Sequence, residues 1–122
     1  MLQESKQVGF VGVSDLDAAA QFYGAVLGLH LVDQRPFALL HDSGLSQLRI
    51  TLVEEVRAAP YTVHGWLVAN LEVEIDRLVE AGVTFNRYEG MGQDERGIWT
   101  SPSGARIAWF LDPDGNTLSL QG

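Results

Sequence analysis

Apolar and polar positions alternate along this chain with two different periods, and the places where the period changes mark its elements. From Val8 to Val13 the alternation has period two. Val8, Phe10 and Gly12 share one face and Gly9, Val11 and Val13 the other, which predicts a first strand. Ser14-Asp15 offers N-cap oxygens. Leu16, Ala19, Ala20, Tyr23, Val26 and Leu27 then recur at helical spacing until Gly28 stops them, so a helix is predicted over 15–27. Strands follow over 29–33, 36–41 and 47–53. In the last of these, Leu48, Ile50 and Leu52 face one way and Gln47, Arg49, Thr51 and Val53 the other.

After a polar connector over 54–60 the plan repeats. A strand over 63–68 leads to Asn70 as cap, to a helical stripe of Leu71, Ile75, Leu78 and Val79, and to Gly82 as stop. Strands are predicted over 83–88, 98–101 and 105–111, with a final one after the turn Asp112-Pro113-Asp114-Gly115-Asn116. Matching cap to cap (Asp15 with Asn70) gives an offset of 55, and matching stop to stop (Gly28 with Gly82) gives 54. The chain is therefore read as an internal duplication. It forms one α+β domain over 1–122, made of two tandem βαβββ modules at about 7–53 and 61–121.

Composition narrows the function classes. With 122 residues, 46% hydrophobic and 20% charged, the chain suits a single globular domain. No apolar run reaches the roughly 18 residues of a membrane helix, and no basic segment followed by an apolar one opens the chain, so neither a membrane partner nor a signal peptide is expected. A net charge of −8 argues against nucleic acid as a partner. The absence of cysteine removes disulfides, thiolate metal sites and cysteine nucleophiles, and makes a cytoplasmic location the default expectation.

Several motifs carry less than they suggest. Asp112-x-Asp114-x-Asn116 opens like a calcium loop, but its glycine stands fourth rather than sixth and the chain ends before a twelfth-position glutamate, so it reads as a turn. His30, His41 and His64 are scattered, and no nucleophile elbow or phosphate-cradling glycine loop is present. Glu54 and Glu55 are adjacent on a strand end and point oppositely. The segment 89–97, with three glycines, fits either a mobile loop over a site or an ordinary exposed connection.

Val13-Ser14-Asp15-Leu16-Asp17, Phe22-Tyr23 and Leu27-Gly28-Leu29 resemble the first module of the vicinal oxygen chelate superfamily. Ala81-Gly82-Val83 and Asp112-Pro113-Asp114-Gly115-Asn116 resemble its second. That superfamily includes glyoxalase I, extradiol dioxygenases, fosfomycin-resistance transferases and bleomycin-resistance proteins. The resemblance implies that each module curls its sheet into a cupped half-barrel with the helices outside. In metal-dependent members His and Glu ligands come from the first and last strand of each module. Carried over by position, those sites fall on Val8, Thr51, Val63 and Ser119. None is an ordinary divalent-metal ligand, and a register slip would recruit only His64, so no metal and no cofactor are expected.

With the cup faces assigned by parity, Phe10, Gln47, Arg49, Thr51 and Ser119 are expected to converge on one concave surface. Trp99 or Trp109 would supply an aromatic wall, while Trp66 falls on the helix side. Ile107, Trp109 and Leu111 share one face of their strand and Arg106, Ala108 and Phe110 the other, and parity does not choose which is inward. Arg49 fits two readings, a carboxylate-holding group in the cup or one half of an internal ion pair with one of sixteen acidic residues. The reading that follows is a metal-free, homodimeric protein that sequesters a partly apolar organic molecule, as bleomycin-resistance proteins do. A lyase, isomerase or dioxygenase of the same superfamily is the alternative.

Overall fold

The computed structural model describes residues 1–44 and 46–122, which fall into two compact units, 1–57 and 58–122. In the first, a short turn of 3-10 helix at Leu2–Glu4 precedes β1 (Gln7–Val13). Helix α1 (Leu16–Ala19) follows. Its cap is Asp15, whose carboxylate accepts from the amides of Asp17 and Ala18, and the helix runs directly into a π-helical segment at Ala20–Val26. The predicted span thus holds, but its second half is wider. The Leu27 amide reaches back to the Phe22 carbonyl at 2.8 Å, and Gly28 turns the chain at φ +76°. Strands β2 (Leu31–Arg35), β3 (Ala38–Asp42) and β4 (Ser46–Leu52) complete a sheet in the order β1-β4-β3-β2, with β1 parallel to β4. Val11, Val13, Leu39, Leu48 and Ile50 bury one face of it, and Ala19 and Tyr23 are buried from the helix. Removing each large side chain from water contributes about 1.5–3 kcal/mol.

The second unit repeats this order with β5 (His64–Leu67), α2 (Leu71–Glu80), β6 (Trp99–Thr100), β7 (Arg106–Leu111) and β8 (Thr117–Gln121), arranged β5-β8-β7-β6. Helix α2 is capped by Asn70, buries Leu71, Ile75 and Leu78, and packs on β8. Ala108, Phe110, Leu118 and Leu120 form the sheet side of that core.

One predicted strand does not form. Over 83–88 the chain makes a single bridge, Phe85 to Phe110, and then leaves the sheet. The reason is a side chain. Gln93 Nε2 donates to the carbonyls of Asn86 and Gly97 at 2.9 and 2.8 Å, and its Oε1 accepts from the Tyr88 amide at 2.7 Å. Backbone groups that a partner strand would have satisfied are satisfied by one amide instead. The segment 89–97 is accordingly cross-braced. Asp94 Oδ1 accepts from the amides of Arg96 and Ile98, Arg87 donates to the carbonyls of Asp94 and Glu95, and Arg96 pairs with both oxygens of Asp76 at 2.8 and 2.9 Å.

The last turn is closed in the same way. Asp112 Oδ1 accepts from the amides of Asp114 and Asn116, and Asn116 Nδ2 donates to its Oδ2 at 2.8 Å. A carboxylate so engaged by the chain's own donors is a turn anchor, as the glycine spacing indicated.

Candidate functional site

Each sheet has one face turned to its helix and one turned away, and strand parity decides what the second face carries. In the first unit, Leu48 and Ile50 of β4 are buried toward the helix, so Gln47, Arg49 and Thr51 stand on the opposite face. The parallel register places Val8 beside Gln47, Phe10 beside Arg49 and Gly12 beside Thr51. From the other side β3 brings Asp42, Leu40 and Ala38 beside the same three residues. Phe10 is 65% exposed although it is a large aromatic group.

The charged groups of this face are already paired, with one exception. Asp42 is bound by Lys6, which holds its carboxyl below the usual range, and Asp33 by Arg35 at 2.9 Å. The remaining cations engage Glu55, Glu74, Asp76, Glu72 and the carbonyls of residues 94 and 95. Among the described residues, the Arg49 side chain has no ion-pair partner and no hydrogen-bond partner. The internal-pair reading of Arg49 thus finds no partner there. On the same face Thr51 Oγ1 is buried and also has no partner among the described residues.

In the second unit, Ala108 and Phe110 are completely buried against α2, which puts Ile107, Trp109 and Leu111 on the away face. The choice that parity left open is settled by pairing. Trp109 lies opposite Ser119, and Trp99 lies opposite Ile107 on the same face. The Trp99 and Trp109 rings are 6.0 Å apart, and Tyr88 meets Trp109 edge-on at 5.6 Å. Trp109 Nε1 donates to Thr62 Oγ1 at 3.0 Å. Sequence reasoning missed Tyr88, because it sits where a strand was predicted and its position depends on Gln93. It also missed Gly65, which lies directly opposite Ser119.

His64 and Trp66 pair with Leu118 and Leu120 and so belong to the helix side, where Trp66 was expected. Their rings meet edge-on at 5.0 Å, and burial pushes the His64 imidazole below its ordinary pKa. His41 is 3% exposed on the helix side of β3, and burial lowers its pKa too. The Leu29 and His30 carbonyls act in the opposite direction without reaching hydrogen-bond geometry.

The two modules can be compared through their caps. Phe10 stands five residues before the cap Asp15 and pairs with Arg49, and Gly65 stands five before the cap Asn70 and pairs with Ser119. The counterpart of Ser119 is therefore Arg49, and Thr51 corresponds to Gln121. Sequence spacing had assigned Thr51; the strand register moves the position by two residues. Either assignment leaves Val8, Val63, Ser119 and a guanidinium or hydroxyl where metal-dependent relatives hold His and Glu. These side chains do not fit a divalent cation. Among the described residues, no three His, Asp or Glu side chains cluster as a metal site. No described helix is long and apolar enough to cross a membrane.

The sequence matches the family model described as Glyoxalase/Bleomycin resistance protein/Dioxygenase superfamily over residues 7–120. No curated protein matches it. Among solved structures, a superfamily member from Sphaerobacter thermophilus superposes with a TM-score of 0.75 at 23% identity, covering 99% of this chain and 98% of that one. A glyoxalase family protein from Enterococcus faecalis gives 0.74 at 23% identity with 100% of both chains covered. A structure described as lactoylglutathione lyase from Agrobacterium tumefaciens gives 0.74 at 17% identity, covering 97% and 92%. At these identities the likeness is one of fold.

Proposed function

Because the chain belongs to the Glyoxalase/Bleomycin resistance protein/Dioxygenase superfamily, we propose that it uses this fold without a metal, to bind and sequester a small, partly apolar organic molecule. The observation that carries the reading is the pair of counterpart positions Arg49 and Ser119. Where a metal enzyme of the fold presents carboxylates, this chain presents a guanidinium and a hydroxyl. A guanidinium repels a divalent cation and cannot be deprotonated to accept one. The same away faces carry Phe10 in one unit and Trp99, Trp109 and Tyr88 in the other. Exposed Phe10 and Tyr88 and half-buried Trp99 and Trp109, beside a few placed polar groups, are the kind of surface that binds small organic molecules. Phe10, Gln47, Arg49, Thr51, Trp99, Trp109 and Ser119 are the proposed ligand-binding residues.

A thermal-shift screen of organic ligands tests this reading, since a molecule that binds only the folded state raises the melting temperature by mass action. The expected hits are amphipathic or aromatic and act equally well on chelated protein. Stoichiometric iron, manganese, nickel or zinc in the purified protein would overturn it.

We also propose a homodimer. Strand β1 stands at the edge of its sheet, and edge strands left open invite pairing, so a second copy is a natural cover for its backbone. Light scattering at micromolar concentration is expected to give twice the chain mass; a monomer throughout would exclude it.

A further inference from the structure

Building on that binding reading, we propose that the away face of the 1–57 unit is a carboxylate site. Arg49 would hold the carboxylate of a guest whose aromatic or alkyl body lies along Phe10 and Val8. This face leaves one cationic side chain unpaired among the described residues. Its register neighbours on both sides of Arg49 are apolar, Phe10 on β1 and Leu40 on β3. The two acids that parity places on the same face, Asp42 and Asp33, are taken by Lys6 and Arg35. With its local carboxylates committed elsewhere, Arg49 has no counterion among the described residues. A guanidinium between apolar neighbours is less completely hydrated than one in open water, which strengthens its attraction for an external anion.

The chemistry of the anion follows from the donor count. One guanidinium offers two parallel N–H bonds in a plane, the geometry of a carboxylate. A phosphate dianion is better held by several cations, and the nearby Lys6 and Arg35 are already engaged. Exposed Phe10 beside Arg49 adds a surface for an apolar body, so the guest joins an anionic head to an apolar or aromatic tail. The chain's net charge of −8 opposes anions at long range, so recognition has to come from these short contacts.

Paired titrations with 2-naphthoate and its neutral isostere 2-naphthamide separate the two parts of this claim. In the unaltered protein, naphthoate is expected to bind at least about tenfold more tightly, the effect of a hydrogen bond to a charged group. In Arg49→Gln the ratio is expected to fall to about one, and in Arg49→Lys part of it should return, because the charge remains but the planar fork does not. Taking the ratio within each variant removes any common loss of folded protein. Equal binding of both compounds to the unaltered protein would leave the sequestration reading standing and overturn the carboxylate site. Persistence of the ratio in Arg49→Gln would overturn it as well, and binding of neither compound would count against both.

Discussion

Gly65 lies directly opposite Ser119 on paired parallel strands, so close that a Cβ on Gly65 would stand 2.3 Å from Ser119 Oγ and 3.0 Å from its carbonyl oxygen. With the Ser119 hydroxyl in this position, a glycine is what fits there. Gly65→Ala is expected to lower stability by roughly 1–3 kcal/mol, the usual range for an overpacked position. Ser119→Ala in the same chain should restore part of that loss, because the nearer clash is with the hydroxyl and the farther one with backbone. Denaturant unfolding of the two single variants and the double one gives the coupling. Strict additivity would mean that the two residues do not meet in solution.

A second relationship runs through Gln93. Its amide makes three bonds to the backbone of residues 86, 88 and 97, and Tyr88, which it positions, packs on Trp109. Gln93→Ala is expected to speed hydrogen exchange at the Tyr88 amide by about an order of magnitude or more and to change the environment of Trp109. Gln93→Glu should do nearly as much, since a carboxylate facing the carbonyls of Asn86 and Gly97 is repelled from the place where it would accept from Tyr88. Unchanged exchange at Tyr88 would show that the segment is held by Arg87, Asp94 and Arg96 alone.

Stability should fall in two steps as pH is lowered. His41 and His64 have pKa values depressed by burial, so the unfolded chain binds their protons first. Their contribution is complete above the ordinary value of about 6.5 and is lost as pH falls below it toward the folded-state values. Asp42, Glu72 and Asp76 are depressed by Lys6, Arg106 and Arg96. Their exposed pairs are lost at lower pH, below about 4. His41→Leu, which removes a buried imidazole whose nitrogens have no partner among the described residues, should flatten the upper step. Denaturation midpoints between about pH 4.5 and 7.5 measure it. A slope unchanged in His41→Leu would assign the step to other groups.

The two-module plan was legible in the sequence because its markers are local. Asp15 and Asn70 cap helices, and Gly28 and Gly82 take positive φ where the helices stop, whatever the rest of the chain does. Strand parity was equally local, and it placed Gln47, Arg49, Thr51 and Trp66 on the faces they occupy. What the sequence could not carry were relationships between distant segments. Ile107, Trp109 and Leu111 are as apolar as Ala108 and Phe110, so only pairing with β8 and burial against α2 chose the outward face. The segment 83–88 alternates like a strand, yet Gln93 takes the bonds a strand would need. The match of Arg49 with Ser119 depended on the β1–β4 and β5–β8 registers, which no spacing motif fixes. The π-helical widening at Ala20–Val26 leaves the apolar stripe unchanged and so left no trace in it.

The central claim is that this fold binds its guest without a metal, and titration of one thermal-shift hit into exhaustively chelated protein, followed by the same protein loaded with zinc or manganese, tests it most directly. The expected result is one dissociation constant under both conditions, with the ligand recovered chemically unaltered. Binding that vanishes on chelation and returns with the metal, or a ligand recovered as a product, would contradict it.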